Sequence, residues 1–274
     1  MKVTIEDFWY WVNERHRIYL NRQEGKPQPW TEDPVLQQFR FTNVFRQFDR
    51  GTWECWKQLD RIPYDYNGLS HQPFWEEGMI FANIVFYRVF NKPETADAAK
   101  LPILDEVHLN NAIATVSRLN TPFTGAHMQL WGDGAWMRIW RETWQWKTDL
   151  AREIVEGQTV ENATAVFRRL HNTGPFFSHQ FAQDARHRLI PNAPDGDSWT
   201  QLGPGSSRCL EWMGKERTLE ALLEIWREQD QYRADYVPSL EAKDVQQSLC
   251  EVQKYVKLRH MLQTGERCKV RKFP

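Results

Sequence analysis

The residues best suited to chemistry lie in one stretch, PWTEDPVLQQFRFTNVFRQFDR, from Pro29 to Arg50. Arg40, Asn43, Arg46 and Arg50 recur there at three- and four-residue spacing. Guanidinium groups and a side-chain amide hold phosphate oxygens by charge-assisted, partly bidentate hydrogen bonds. The stretch therefore suggests an anion site, and the alternative is an ordinary surface helix with a solvated arginine face.

A Gly-Pro turn in the second half of the chain suggests another anion site. The pattern of apolar residues around Gly174 predicts a helix-hairpin-helix at about 159–189. Free backbone N–H groups at a helix start can hold a DNA phosphate regardless of base sequence. Gly174, Phe176 and Gln180 are the predicted DNA contacts, and an ordinary helical hairpin is the alternative.

A second Gly-Pro turn, in LGPGSSR, repeats this logic at another helix start. Gly203 and Gly205 make a glycine turn, and Ser206 and Arg208 flank it with a hydroxyl and a cation. Such a turn is able to cradle a diphosphate. A purely structural turn is the alternative.

Helices must position these groups. Asp33 and Pro34 form a plausible N-cap and first helical residue, and over 34–61 the arginines lie opposite a stripe of Phe41, Val44, Phe45 and Phe48. Apolar spacing predicts helices over 4–23, 34–61, 73–91, 105–119, 133–156, 159–171, 176–189, 205–213, 216–230 and 241–262. Strand patterns are scarce, so the sequence predicts an all-α fold with two helical lobes around a cleft.

Fourteen tryptophans are an unusual number for 274 residues. Trp136, Trp140 and Trp144 recur every four residues and therefore share a helix face, which predicts packing between helices. The alternative is an aromatic platform that stacks on exposed bases.

Composition restricts the class of protein. The chain is 41% hydrophobic and 26% charged, with a mean hydropathy of -0.69, which predicts a soluble globular domain spanning 1–274. The longest nearly apolar run, 79–90, contains Asn83 and Arg88 and is too short to cross a bilayer. Without a recognisable signal peptide, we expect a cytoplasmic protein. Four widely spaced cysteines favour reduced thiols and no zinc site.

Charge is distributed unevenly along the chain. Residues 254–274 include seven basic residues and one acid, a charge of +6 on a chain whose formal net charge is -1. Lys254 and Lys257 therefore join the predicted DNA contacts, in a basic C-terminal tail. A tail that only improves solubility is the alternative.

Five segments together resemble a known family: PWTEDPVLQQFRFTNVFRQFDR, GMIFANIVFYRVFNKPET, TGPFFSHQFAQD, LGPGSSR and SLCEVQKYVKLR. They are similar to a phage-associated family that contains the helical domain of 5-hydroxymethyldeoxyuridine DNA kinases. The same family contains the alpha-glutamyl/putrescinyl thymine pyrophosphorylases, also called amino acid:DNA transferases. The resemblance runs through nearly the whole chain and implies a helix-hairpin-helix DNA glycosylase fold.

The resemblance implies an enzyme that modifies thymine-like bases in DNA. In such pathways a kinase converts 5-hydroxymethyluracil into a pyrophosphate ester, and a transferase displaces pyrophosphate with an amine, for example that of glycine. This chain has no Gly-rich turn leading into Gly-Lys-Ser/Thr, so it resembles the transferase more than the kinase, its functional partner. No resident cofactor is expected, although Mg²⁺ could accompany the pyrophosphate.

Within this resemblance each candidate residue receives a role. Arg40, Asn43, Arg46 and Arg50 would contact pyrophosphate and base, together with the 203–208 turn. Asp197 would act as the general base, and Asp49 and Glu251 are further proton acceptors in the matched segments. The base would be flipped into an aromatic pocket.

Two departures keep other mechanisms open. Phe176 stands where a bifunctional helix-hairpin-helix glycosylase carries its catalytic lysine, which argues against lyase chemistry through that lysine. Asp197 lies at about the spacing of the glycosylase aspartate, so monofunctional base excision remains an alternative, as does a non-catalytic DNA-binding partner of the kinase. Cys250 could instead add to the ring as a thiolate, although a lone helical cysteine is usually a core residue.

Overall fold

The computed structural model describes residues 1–124 and 134–265, and in these ranges the chain is helical, with no β-strand element. This confirms the predicted all-α class. The α-helices are α1 Ile5–Gln23, α2 Pro34–Gln38, α3 Arg50–Leu59, α4 Trp75–Phe90, α5 Pro93–Ala99, α6 Glu106–Val116, α7 Ala135–Gly157, α8 Val160–Phe167, α9 Pro175–Ala185, α10 Pro204–Trp212, α11 Leu219–Arg227, α12 Gln229–Tyr232 and α13 Ala242–Thr264. Short 3₁₀ helices cover Arg46–Phe48 and Leu69–His71.

Two compact units divide the chain. The first unit contains Met1–Asp49 and Asp197–Pro274, and the second contains Arg50–Gly196. The single domain over 1–274, the cleft between two lobes and the glycosylase-like arrangement stay predictions. None of the helices in the described ranges has an apolar run long enough to span a membrane.

The first unit is built around α1 and α13. A capping box between Thr4 and Asp7 starts α1, and the helix then buries Phe8, Trp11 and Val12 in the core. Other elements of the unit complete that core with buried side chains that include Val35, Phe39, Phe45, Leu210, Leu222, Ile225, Val245, Leu249 and Val252. The core thus joins residues from both ends of the sequence.

The predicted helix over 34–61 is wrong in its middle part. The helix α2 ends at Gln38, the chain is then extended, and α3 begins only at Arg50. From Phe39 to Thr42 the side chains alternate between buried and exposed, which is the pattern of an extended chain. Aromatic residues such as Phe39 and Phe41 suit a half-buried extended segment. The arginines therefore do not share one solvated helix face, and Arg46 is buried.

The second unit is organised around α4, which is buried on nearly all sides. A side chain at Gly78 would place its Cβ 3.1 Å from Thr148 Oγ1, so glycine lets α4 and α7 approach closely. On α7, Trp136 and Trp140 pack against Phe90 at ring-centroid distances of 5.1 and 5.5 Å. The predicted packing role of these tryptophans is confirmed.

A helical hairpin is present where the sequence predicted one. Helices α8 and α9 pack against each other, and Asn172 turns the chain at φ 57° in the left-handed region. Asp195 caps the start of α8 by accepting hydrogen bonds from the amides of Val160 (2.7 Å) and Glu161 (3.0 Å). The turn carries Gly174 and the exposed ring of Phe176.

A buried ion pair anchors α9 to α4. The Arg88 guanidinium donates to both Asp184 oxygens, at 2.5 and 2.8 Å, and also donates to Thr52 at 3.0 Å. Trp56 donates a further hydrogen bond to Asp184 at 3.2 Å. The carboxylate is fully buried, so these bonds replace its lost hydration.

Candidate functional site

The candidate site lies in the first unit, where α13 contacts both the arginine segment 40–49 and the turn 203–206. Its N-terminal part presents two neighbouring rows of side chains. Gln247, Glu251 and Lys254 contact the arginine segment. Gln246 and Cys250 contact the turn. Since residues three and four apart are neighbours on a helix, one helix brings the two predicted anion-binding segments together.

Gln247 and Asn43 close the arginine segment into a loop. The Gln247 amide donates to the backbone oxygen of Asn43 at 2.8 Å and to Asp49 Oδ2 at 3.3 Å. The backbone amide of Asn43 donates to Asp49 Oδ1 at 3.0 Å, and its side chain donates to the Phe48 carbonyl at 2.7 Å. Asn43, predicted to contact the substrate, thus holds the loop and its carboxylate in place.

Glu251 and Lys254 anchor the other end of the segment. Glu251 Oε2 accepts from the amide of Thr42 at 3.3 Å and lies 3.4 Å from Lys254 Nζ. Lys254 also donates to the backbone oxygen of Arg40 and lies 4.5 Å from the centre of the Phe41 ring. Glu251 and Lys254, one predicted as catalytic and the other as a DNA contact, therefore lie side by side.

Asp49 is in an unusual electrostatic setting. Burial raises the pKa of its carboxyl above the ordinary value, against the opposing effects of the Asn43 amide, the Arg46 and Arg15 guanidiniums and Gln247. Arg46 itself is held at the start of α13, where its backbone amide donates to the buried carboxylate of Asp244. The site thus contains a partly buried carboxyl beside fixed cations.

Arg15 is a site residue that the sequence did not identify. From α1 its guanidinium donates to Asn43 Oδ1 at 2.7 Å and to the Phe41 carbonyl at 3.3 Å. Burial lowers its pKa to about 10, which still leaves it protonated at neutral pH. Nothing in the sequence around Arg15 distinguishes it from other polar residues of an amphipathic helix, because its partners are distant in sequence.

The turn 203–206 is packed against α13. Gly203 donates its backbone N–H to Ser206 Oγ at 3.0 Å, and Ser206 Oγ lies 3.3 Å from Gln246 Nε2. A Cβ on Gly205 would lie 3.0 Å from Cys250 Sγ and 3.3 Å from its Cα. The glycine therefore permits close packing, and a diphosphate would have to compete with these internal partners for the turn amides.

The Cys250 thiol faces the start of α10. Burial has the largest effect on its pKa and raises it to about 11, against smaller lowering effects of the Ser206 side chain and of the backbone amides of Ser206 and Gly205. At neutral pH the sulfur is therefore a thiol in this structure, and the thiolate mechanism has less support than direct displacement.

The remaining predicted residues divide between the two units. Arg50 belongs to the second unit, where its guanidinium is 3.7 Å from Glu94. Gly174, Phe176 and Gln180 also belong to that unit.

Three more predicted residues lie in the first unit. Asp197 is exposed, and its backbone oxygen accepts from the amide of Ala242 at 2.8 Å. Arg208 is exposed on α10, and Lys257 Nζ lies 5.8 Å from the Trp212 ring.

The predicted basic tail begins inside a helix. Residues 254–264 belong to α13, which corrects the boundary of the tail, since apolar residues such as Val256 and Leu258 anchor this part in the core. Residues 266–274 lie outside the described residues.

An open cleft of about 710 Å³ lies between α1 and the segment 29–34. Glu14, Glu32 and Asp33 line it, against one guanidinium, that of Arg17. This excess of carboxylates is unsuited to a diphosphate, so the cleft is not the predicted anion pocket. In the described ranges, no group of three or more His, Cys, Asp or Glu side chains is placed to hold a metal ion.

Comparison with known proteins identifies the family. The family model described as "5-hmdU DNA kinase, helical domain" matches residues 2–265, and the chain therefore belongs to that family. Over 100 residues it is 35% identical to a 5-hmdU DNA kinase of Bacillus phage SP10, a stretch that covers 35% of this chain and 15% of that kinase. The chain thus matches a small part of that relative's length. No solved structure matches it.

Proposed function

We propose that this protein displaces pyrophosphate from 5-pyrophosphoryloxymethyl-deoxyuridine in DNA with the amine of an amino acid such as glycine. The observation that carries this proposal is the convergence on α13 of the 40–49 segment, with its arginines and Asp49, and of the 203–206 turn. Family membership supports the setting, since the family is named for a kinase that acts on 5-hydroxymethyldeoxyuridine in DNA.

The reaction requires one bond to form as another breaks. The amine nitrogen attacks the methylene carbon beside the uracil ring, the carbon–oxygen bond breaks, and pyrophosphate leaves with the electron pair. Arg40, Arg46 and Arg208 would stabilise the growing negative charge, with Mg²⁺ as a possible companion of the pyrophosphate. The role first given to Arg50, whose guanidinium lies 3.7 Å from Glu94, stays a prediction.

Asp49 is the carboxyl best suited to take the proton that the ammonium group of the amino acid must lose before its nitrogen can attack. Its raised pKa brings it nearer to the working pH than an ordinary aspartate, which favours proton transfer. Glu251, bonded to the same segment, is the next candidate. Asp197, exposed at the start of α13, stays a prediction.

DNA contacts are assigned to two regions. The hairpin turn of the second unit offers Gly174, Phe176 and Gln180, of which Phe176 is 42% exposed. In the first unit, Lys254 and Lys257 would attract the phosphate backbone. The substrate would be made by a 5-hydroxymethyluracil DNA kinase, which places the reaction in the cytoplasm of an infected bacterium.

The test is to incubate the protein with DNA that carries the pyrophosphate ester and with isotope-labelled glycine, then to digest the DNA and weigh its nucleosides. We expect pyrophosphate release and a nucleoside that gains the mass of glycine. Asp49→Asn keeps the side-chain size but removes the proton acceptor, and we expect at least about a 100-fold slower reaction. The control is Asp230→Asn, at a carboxylate that is 78% exposed in the same unit. Equal rates in both variants would exclude Asp49 as the base.

The family description favours a second candidate function. Because the family is named as a domain of a kinase, this chain could bind DNA and position such a kinase without changing the DNA itself. In that case the same assay would leave nucleoside masses unchanged, while DNA binding would weaken as salt is raised. Abasic sites in the digest would instead indicate the glycosylase alternative.

A further inference from the structure

We infer that Arg15 is the positioning residue of this site, fixing the loop that carries Asp49 from the neighbouring helix α1. This inference rests on the proposed function for its catalytic consequence, but the geometry stands without it. Arg15 is followed on α1 by His16, and Trp11 and Val12 lie one turn before it, all three buried. The core therefore holds the backbone from which the guanidinium extends.

The guanidinium of Arg15 contacts two residues of the loop, Asn43 and Phe41. Its Nη2 atom donates to Asn43 Oδ1 at 2.7 Å and to the Phe41 carbonyl at 3.3 Å. The opposite end of the Asn43 amide then donates to the Phe48 carbonyl at 2.7 Å. A guanidinium that can only donate therefore sets which way the Asn43 amide points, and this amide joins the two ends of the loop.

Asp49 depends on the same arrangement. Its Oδ1 atom accepts from the Asn43 backbone amide at 3.0 Å, so the position of Asn43 decides the position of the carboxylate. A lysine at position 15 would keep the charge but has a single compact donor group in place of the planar fork. Substitution of Arg15 by lysine thus separates the effect of the hydrogen-bond geometry of the guanidinium from the effect of its charge.

The polar groups that act on the Asp49 carboxyl come from three elements. Arg15 faces it from α1, Arg46 from its own segment, and Gln247 from α13 as a neutral donor. Arg15 in turn is influenced by Glu251 on α13 and by Arg22 on its own helix. Removing the Arg15 charge leaves Arg46 as the guanidinium acting on Asp49, and the Asp49 carboxyl then holds its proton to a higher pH.

The experiment uses the full chain without substrate and three variants: Arg15→Met, Arg15→Lys and, as control, Arg17→Met. The Arg17 side chain lies two residues further along α1 and is 53% exposed. Carbon-13 NMR would follow the titration of Asp49, and hydrogen exchange the protection of the Asn43 amide. We expect Arg15→Met to raise the Asp49 midpoint by about one pH unit and to lower amide protection at least about tenfold. Arg15→Lys should lower protection but move the midpoint less.

The catalytic consequence is read separately. In the transferase assay, the acidic limb of the rate profile should move to higher pH in Arg15→Met, in step with the Asp49 midpoint, and stay in place in Arg17→Met. An unchanged Asp49 midpoint and unchanged Asn43 protection in a folded Arg15→Met protein would overturn the inference. If these change and no variant or wild-type protein transfers an amine, the positioning role stands and the proposed function fails.

Discussion

The two Gly-Pro turns are nearly identical as sequence signals but differ in their surroundings. Gly174 precedes α9 and Gly203 precedes α10, and both glycines are extended, with φ of -74° and -98°. A Cβ on Gly174 would meet nothing within 4 Å, whereas at the second turn a Cβ on Gly203 would lie 3.3 Å from Gln246 Nε2 and one on Gly205 would lie 3.0 Å from Cys250 Sγ. The turn at Gly174 is therefore open and the turn at 203–206 packs tightly against α13, although both present the start of a helix.

On physical grounds, a helix start is available to an anion only where the surrounding side chains leave its backbone amides uncovered. At the second turn the amides have partners of their own, Ser206 Oγ and Cys250 Sγ. In the proposed reaction, arginines of the neighbouring 40–49 segment would then supply positive charge that the turn alone does not offer. At the first turn the Phe176 ring is exposed.

The largest expected effect concerns the buried ion pair between Arg88 and Asp184, which anchors α9, the helix that follows the open turn. Asp184→Ala leaves the Arg88 guanidinium buried without its carboxylate, and we expect the free energy of unfolding to fall by about 3–5 kcal/mol. Urea unfolding followed by circular dichroism measures this. A loss below about 1 kcal/mol would mean that the ion pair does not hold α9 to α4.

The tight packing of the 203–206 turn against α13 can be tested with a larger side chain at Gly205. In Gly205→Val the new Cβ would lie 3.0 Å from Cys250 Sγ, so α10 and α13 must move apart. We expect a loss of about 1–3 kcal/mol, measured by the same unfolding experiment. Recovery of part of this loss in the double variant with Cys250→Ala would confirm that the contact with Cys250 is the cause.

The buried thiol of Cys250, beside the 203–206 turn, predicts that the stability of the protein falls at alkaline pH. Burial raises the pKa of the Cys250 thiol to about 11 in the folded protein, above its ordinary value of 9.0, so the unfolded chain loses this proton first. Its contribution to stability is complete below pH 9.0 and is lost between pH 9.0 and about 11. In Cys250→Ala this part of the decline should be smaller by about 2–3 kcal/mol. Equal declines in both proteins would contradict a buried thiol.

The smallest effect is expected at the open turn. In Gly174→Ala the new Cβ meets no neighbour and φ stays allowed, so stability should stay within about 1 kcal/mol of wild type, because the stiffer unfolded chain offsets part of the poorer N-cap of α9. If the turn contacts DNA, a larger variant, Gly174→Phe, should weaken DNA binding in a filter or anisotropy assay while the protein remains as stable. Unchanged binding would remove the turn from the DNA contacts.

The sequence predicted the helices well where apolar spacing is regular and failed where aromatic residues alternate. Helices such as α1, α4, α7 and α13 agree with the prediction within a few residues. The segment around Phe39 and Phe41 fits a helical stripe and an extended strand equally, and contacts with α13 decide between them. The sequence did not predict the role of Arg15, because its partners lie far along the chain and local spacing carries no information about them.

The first unit is discontinuous, since residues 50–196 are inserted between its two parts. The contact between Asn43 and Gln247 joins residues separated by 204 positions. During synthesis the inserted unit is thus complete before α13 emerges from the ribosome, so the loop around Asp49 is assembled last. Nascent chains that stop before Ala242 should contain a folded middle and an unfinished site, which makes α13 the element whose arrival switches on any activity.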